Sequence, residues 1–143
     1  MVFCKGMKLR WDNTTAKLVF DIPPAHKDVS NYSVLSFRVT QKVDSASNPT
    51  NQPQNFRVAI KDTLNNERAV RVSSFSTIPF PDNRFSHSLT KSAMNTVRIP
   101  LSAYTVVCAG QPKVNLQNVV NLAFVFSEKP AGEIEIDEVE FTS

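Results

Sequence analysis

The stretch Gly132-Glu133-Ile134-Glu135-Ile136-Asp137-Glu138-Val139-Glu140-Phe141 alternates apolar and acidic residues, as a strand with one buried face does. Its facing changes partway along. Ile134 and Ile136 share one parity, and Val139 and Phe141 share the other. Both pairs reach one core only if an extra residue intrudes near Asp137-Glu138, so the spacing predicts a β-bulge that re-aims Asp137.

The same period of two recurs upstream. Met7 to Trp11 reads as a short first strand, and Leu18, Phe20 and Ile22 form an inward set before Pro23-Pro24 stops the ladder. Ser33 to Gln41 alternates with Leu35, Phe37 and Val39 inward. Lys42 to Gln54 has no period and reads as a long surface loop. Phe56, Val58 and Ile60 resume the alternation, and Asp62-Thr63-Leu64-Asn65-Asn66-Glu67 turns the chain into Arg68 to Ser73 as a hairpin.

Ile78 to Met94 reads as an irregular excursion with room for one helical turn. Met94 to Leu101 is a strand whose Pro100 marks an edge or an end. Val120, Leu122, Phe124 and Phe126 face one way in the next strand, with Ala123 and Val125 pointing to a far end covered on both sides. Glu128 to Gly132 turns into the closing strand, which is expected to pair antiparallel with the one before it. The class that follows is all-β: a two-sheet antiparallel sandwich with jelly-roll topology. With only three glycines, the turns must rest on Asn, Asp and Pro.

A length of 143 residues fits one domain, expected over 1–143, large enough to bury a core without a disulfide or metal. No apolar run approaches the ~20 residues that a membrane helix needs. Sixteen basic residues against thirteen acidic give a net charge of +3 spread along the chain, and with no nucleic-acid-binding motif, nucleic acid is not an expected partner. Cys4 and Cys108 are either a bridge closing most of the chain or two unpaired small hydrophobes. Asn13-Thr14-Thr15 and Asn31-Tyr32-Ser33 match the glycosylation sequon by pattern.

No catalytic signature is present: no Gly-x-Ser-x-Gly elbow, no His-Glu-x-x-His, no phosphate-cradling glycine loop, no Cys-x-x-Cys. His26 and His87 stand alone in polar loops as spectators. The expectation is a chain that is not itself an enzyme, with no catalytic residues.

One constellation emerges from strand parity. Arg38, Arg57, Arg71 and Arg98 each take an outward position between inward apolar neighbours, on four separate strands. On one shared sheet face they would grip acidic sugars, carboxylates or a partner surface through bidentate bonds. The alternative is four scattered charges paired with local acids. Among amphipathic rings, Trp11 shares parity with Met7 and Leu9 and is expected in the core. Tyr32 and Tyr104, next to turns, are expected at the surface as ligand platforms.

The order Asp28-Val29-Ser30, Val34-Leu35-Ser36-Phe37-Arg38, Asn55 to Asp62, Thr96 to Leu101, Val119 to Phe126 and Gly132 to Asp137 resembles the galactose-binding-like β-jelly-roll. Within it, the chain is most similar to the carbohydrate-binding-module-like accessory domains of secreted bacterial hydrolases, including α/β-hydrolases. The likeness runs from about Met7 to Phe141. It implies a noncatalytic module, secreted within a longer precursor although Met1–Gly6 has no signal-peptide pattern. Its implied partner is a glycan or the catalytic domain of the same polypeptide, with a purely structural interdomain role and a small stand-alone enzyme as the alternatives.

The resemblance also implies a structural Ca²⁺ in many such domains, held partly by an acidic residue of the closing strand. Asp137 matches that position, and Asp12 is the second candidate ligand. The other reading is that Asp137 hydrogen-bonds local backbone and steadies the bulge.

Overall fold

A computed structural model of the protein describes residues 2–4, 6–81 and 94–143. Most of the expected excursion from Ile78 to Met94, and His87 within it, lies outside the described residues.

The strands are β1 (Val2–Cys4), β2 (Met7–Trp11), β3 (Lys17–Asp21), β4 (Val34–Gln41), β5 (Arg57–Asp62), β6 (Glu67–Arg71), β7 (Asn95–Pro100), β8 (Val119–Val125) and β9 (Gly132–Thr142). They form two antiparallel sheets. The first runs β1-β9-β4-β7, with β2 also pairing β9, and the second runs β3-β8-β5-β6. β1 and β2 lie along the same edge of β9, because β4 occupies the other. Apart from β1 to β2 and β5 to β6, every connection crosses between the sheets, which is the expected two-sheet sandwich.

The crossing pattern corrects one expectation. β8 and β9 are not partners: β8 lies between β3 and β5, whereas β9 lies between β4 and the β1/β2 edge. The Glu128–Ala131 turn therefore carries the chain across the core rather than closing a hairpin. β5 and β6 do form the expected hairpin, and β7 is an edge strand that ends at Pro100. β1 was not foreseen, being three residues long with no alternation to read.

The core fills from the inward parity of both sheets. Leu35, Phe37 and Val39 of β4 meet Phe56, Val58 and Ile60 and the β8 residues Leu122 and Phe124, all buried. Phe37, Phe56 and Phe124 touch one another with centroids 5.2–6.1 Å apart, two of the three pairs edge to face, the geometry aromatic quadrupoles prefer. Trp11 is buried as expected. It stacks on Phe126 at 4.2 Å, and its Nε1–H donates to the Lys129 carbonyl. Its indole lies against Gly132, directly opposite it in the ladder, where a Cβ would collide with the ring and with Gln54.

The bulge forms where parity predicted it. Ser36 faces Glu140 and Arg38 faces Asp137, so Phe37 spans Glu138 and Val139, and all four apolar residues of β9 are buried. Glu138 takes the left-handed conformation at φ 51°. Asp137 Oδ1 accepts the N–H groups of Glu138 and Gly6, tying the bulge to the break between β1 and β2.

Candidate functional site

Strand register arranges the outer face of β3-β8-β5-β6 in three rows. Lys17, Val125, Arg57 and Arg71 form the first. Val19, Ala123, Ala59 and Ala69 form the second, and Asp21, Asn121, Lys61 and Glu67 the third. The middle row is a floor of small side chains, with Ala59 and Ala123 recessed. Hydrogen-bonding and charged side chains stand on both sides of it. Such a trough can seat an extended polar chain on apolar ground while the flanking rows bond its hydroxyls.

Arg57 and Arg71 face each other across β5 and β6, and both Nε–H groups donate to one oxygen, Glu128 Oε1, at 2.5 and 3.0 Å. The bond from Arg57, with that from Arg71 and the charge of both guanidinium groups, outweighs burial and holds the Glu128 carboxyl below its ordinary value. A cleft of about 370 Å³ opens beside the pair, lined by Arg57, Arg71, Ala69, Ser74, Phe75 and Gln111 among others.

The outer face of the other sheet differs. There Lys8 faces Glu135, Arg10 faces Glu133 and Arg38 faces Asp137, so these three cations each have a carboxylate opposite. Arg98 sits across from Ser36. The four arginines are therefore split: Arg57 and Arg71 come together on one sheet, while Arg38 and Arg98 lie on the outer face of the other. The expected single array does not form, because strands alternate between sheets along the chain.

The two tyrosines also part company. Tyr104 is not a surface platform. It is fully buried, its hydroxyl donates to the Val58 carbonyl at 3.1 Å, and burial pushes its phenol far above the ordinary value. Tyr32 is exposed but precedes β4, its ring 6.3 Å from Phe141 of β9, in the other sheet from Arg57 and Arg71.

Asp12 and Asp137 stand at opposite ends of β2. Asp137 bonds Gly6 at one end, and Asp12 follows Trp11 at the other, roughly 20 Å away at strand rise. One ion cannot reach both. Among the described residues no three His, Cys, Asp or Glu side chains gather as metal ligands, and the cleft at Asp137 includes Lys8. Asp12 and Asp137 therefore do not belong to one Ca²⁺ site, whose six to eight hard oxygens can include backbone carbonyls. Cys108 is an exposed free thiol, so the long bridge is not made.

Residues that sequence reasoning passed over include Glu128, Phe75 and Arg68. Glu128 looked like a turn residue, and Phe75 lay among serines outside any alternating run. Arg68 has inward parity and is buried, its guanidinium donating to the carbonyls of Ala103, Val106 and Gln111. The bond to Gln111, at 3.4 Å, joins β6 to the segment that lines the cleft.

No protein-family model matches the chain, and no curated protein matches it. Solved structures do. The family 11 carbohydrate-binding module from Clostridium thermocellum, in complex with a β-1,3-1,4-mixed-linked tetrasaccharide, is similar at a TM-score of 0.63 and 17% identity, over 96% of this chain and 75% of that one. The family 30 module of the cellulosomal cellulase Cel9D-Cel44B of the same organism is similar at 0.64 and 14% identity, over 96% and 74%. The fold is that of these carbohydrate-binding modules. At such identities the likeness fixes the path of the backbone in this module fold, not the residues that meet a ligand.

Proposed function

We propose that the chain is a noncatalytic carbohydrate-binding module that takes a glycan across the outer face of β3-β8-β5-β6. The observation that carries this reading is the trough itself: Val19, Ala123, Ala59 and Ala69 as a floor between a row bearing Lys17, Arg57 and Arg71 and a row bearing Asp21, Asn121, Lys61 and Glu67. Pyranose rings present apolar C–H faces and an equatorial rim of hydroxyls, and small recessed residues beside amide, carboxylate and cationic groups complement both. On the other sheet Lys8, Arg10 and Arg38 instead stand opposite the carboxylates of Glu135, Glu133 and Asp137. The carbohydrate-bound family 11 module supports the same reading through its fold.

By extension, the module serves a secreted hydrolase whose catalytic domain belongs to the same polypeptide and brings that domain to its polysaccharide. Modules of cellulosomal cellulases share the fold, which supports this extension.

Affinity electrophoresis against a broad panel of soluble polysaccharides tests the binding. At least one glycan should retard the chain saturably, and Asn121→Ala or Lys61→Ala should weaken that retardation at least fivefold with the unfolding midpoint retained. No retardation by any glycan would sink the reading.

A further inference from the structure

The Arg57–Arg71 cleft carries more charge than its surroundings need. Like charges directly opposite each other on neighbouring strands destabilise a sheet. Here two guanidinium groups share one carboxylate oxygen, which leaves one positive charge uncompensated, and Lys17 adds another at the far end of the same row. The Nη groups of Arg57 and Arg71 have no protein acceptor among the described residues. Both side chains are partly open to solvent, at 36% and 56%.

Their free Nη edges are the part of a guanidinium that binds a planar anionic group in bidentate fashion. Around them the cleft supplies what a sugar ring needs. Phe75, 36% exposed, offers an aromatic surface, and Ser74 and Gln111 offer a hydroxyl and an amide. The volume of about 370 Å³ falls within the range of about 300–1,000 Å³ typical of small-molecule sites.

We infer that this cleft is the subsite for an anionic sugar unit, a pyranose bearing a carboxylate or a sulfate ester, with Arg57 and Arg71 on the anionic group and Phe75 against the ring. Glu128 is then a positioning residue that holds the two guanidinium groups side by side. The inference rests on the glycan-binding reading above and names the class of glycan.

The full chain, titrated with polygalacturonate, its carboxyl-reduced galactan, chondroitin sulfate and neutral mixed-linked β-glucan, tests it by calorimetry. Polygalacturonate, chondroitin sulfate or both should bind at least tenfold tighter than the neutral polymers. The bound acid should loosen at least fivefold between 50 and 500 mM salt, since the pair is solvent-accessible and screened. Arg71→Gln and Phe75→Ala should each cost at least tenfold, while Arg38→Gln on the other sheet should change nothing.

Binding confined to neutral glycans, or acidic-glycan binding untouched by Arg71→Gln and Phe75→Ala, overturns this inference and leaves glycan binding standing. Binding to no glycan removes both. Because Arg71 and Phe75 are exposed, an unchanged unfolding midpoint is expected for each variant and separates lost affinity from lost fold.

Discussion

Single residues decide the local geometry of this protein, and the bulge at Asp137-Glu138 is the best example. Glu138 carries a side chain at φ 51°, a conformation that costs a residue other than Gly, Asn or Asp roughly 1–2 kcal/mol. Asp137 offsets part of that cost by accepting the Glu138 and Gly6 N–H groups. Glu138→Asn, which adopts the left-handed region more readily, is expected to raise stability by about 0.5–1 kcal/mol in urea unfolding, and a lowered midpoint would show that Glu138 makes a compensating contact. The bulge was legible because parity is a local property: four apolar residues on two phases admit one arrangement in which all are buried. Tyr104 was not legible for the converse reason. It sits in the 3-10 turn Leu101–Tyr104, where three residues per turn put Leu101 and Tyr104 on the same side. A reading tuned to the period of two takes it for a loop residue.

Among the elements, the β5–β6 hairpin shows how a buried acid ties distant segments together. Asp62 is fully buried, and its Oδ1 accepts the Leu64 and Asn66 N–H groups while its Oδ2 accepts the Asn66 amide and the Asn115 N–H. Burial pushes its carboxyl up, yet the four bonds together outweigh burial and hold it below the ordinary value. A carboxyl whose folded pKa is depressed contributes stability that is fully present above its unfolded value of about 3.9 and is lost as pH falls through the folded one. Glu128 acts in the same direction. Asp62→Asn would set an amide N–H₂ against donors, so it should lower stability at pH 7 by about 2–4 kcal/mol and flatten the loss of stability between about pH 5 and 2. Urea midpoints at pH 7, 5 and 3 check both, and equal acid sensitivity in the variant would show that other carboxylates dominate. The hairpin was readable from Asp62 to Glu67 because its turn is sequential. The bond to Asn115 was not, since it joins residues 53 apart in sequence.

The molecule as a whole is built from pairings between strands far apart in the chain. Only β5 and β6 are both consecutive and paired; β9 meets β1, β2 and β4, and β8 meets β3 and β5. Non-local topologies of this kind fold in roughly milliseconds to seconds because loop closure precedes the contacts that reward it. Stopped-flow refolding should show that range, and a microsecond phase carrying the full amplitude would contradict it. The same topology explains what could and could not be read in advance. Alternation, turn chemistry and the shift of phase in β9 follow from neighbouring residues, so the strands from β2 to β9, the bulge, the buried Trp11 and the two-sheet class were written in the chain. Sheet membership and register are settled by which strands meet across the core, and these divided the four outward arginines into two pairs. They also set Arg57 opposite Arg71, brought Glu128 to both, and laid the alanine row between the polar ones. Hydrophobic alternation specifies which face of a strand is buried and is indifferent to which neighbour it pairs with. The candidate site is a property of neighbours, and it came into being only when the strands paired.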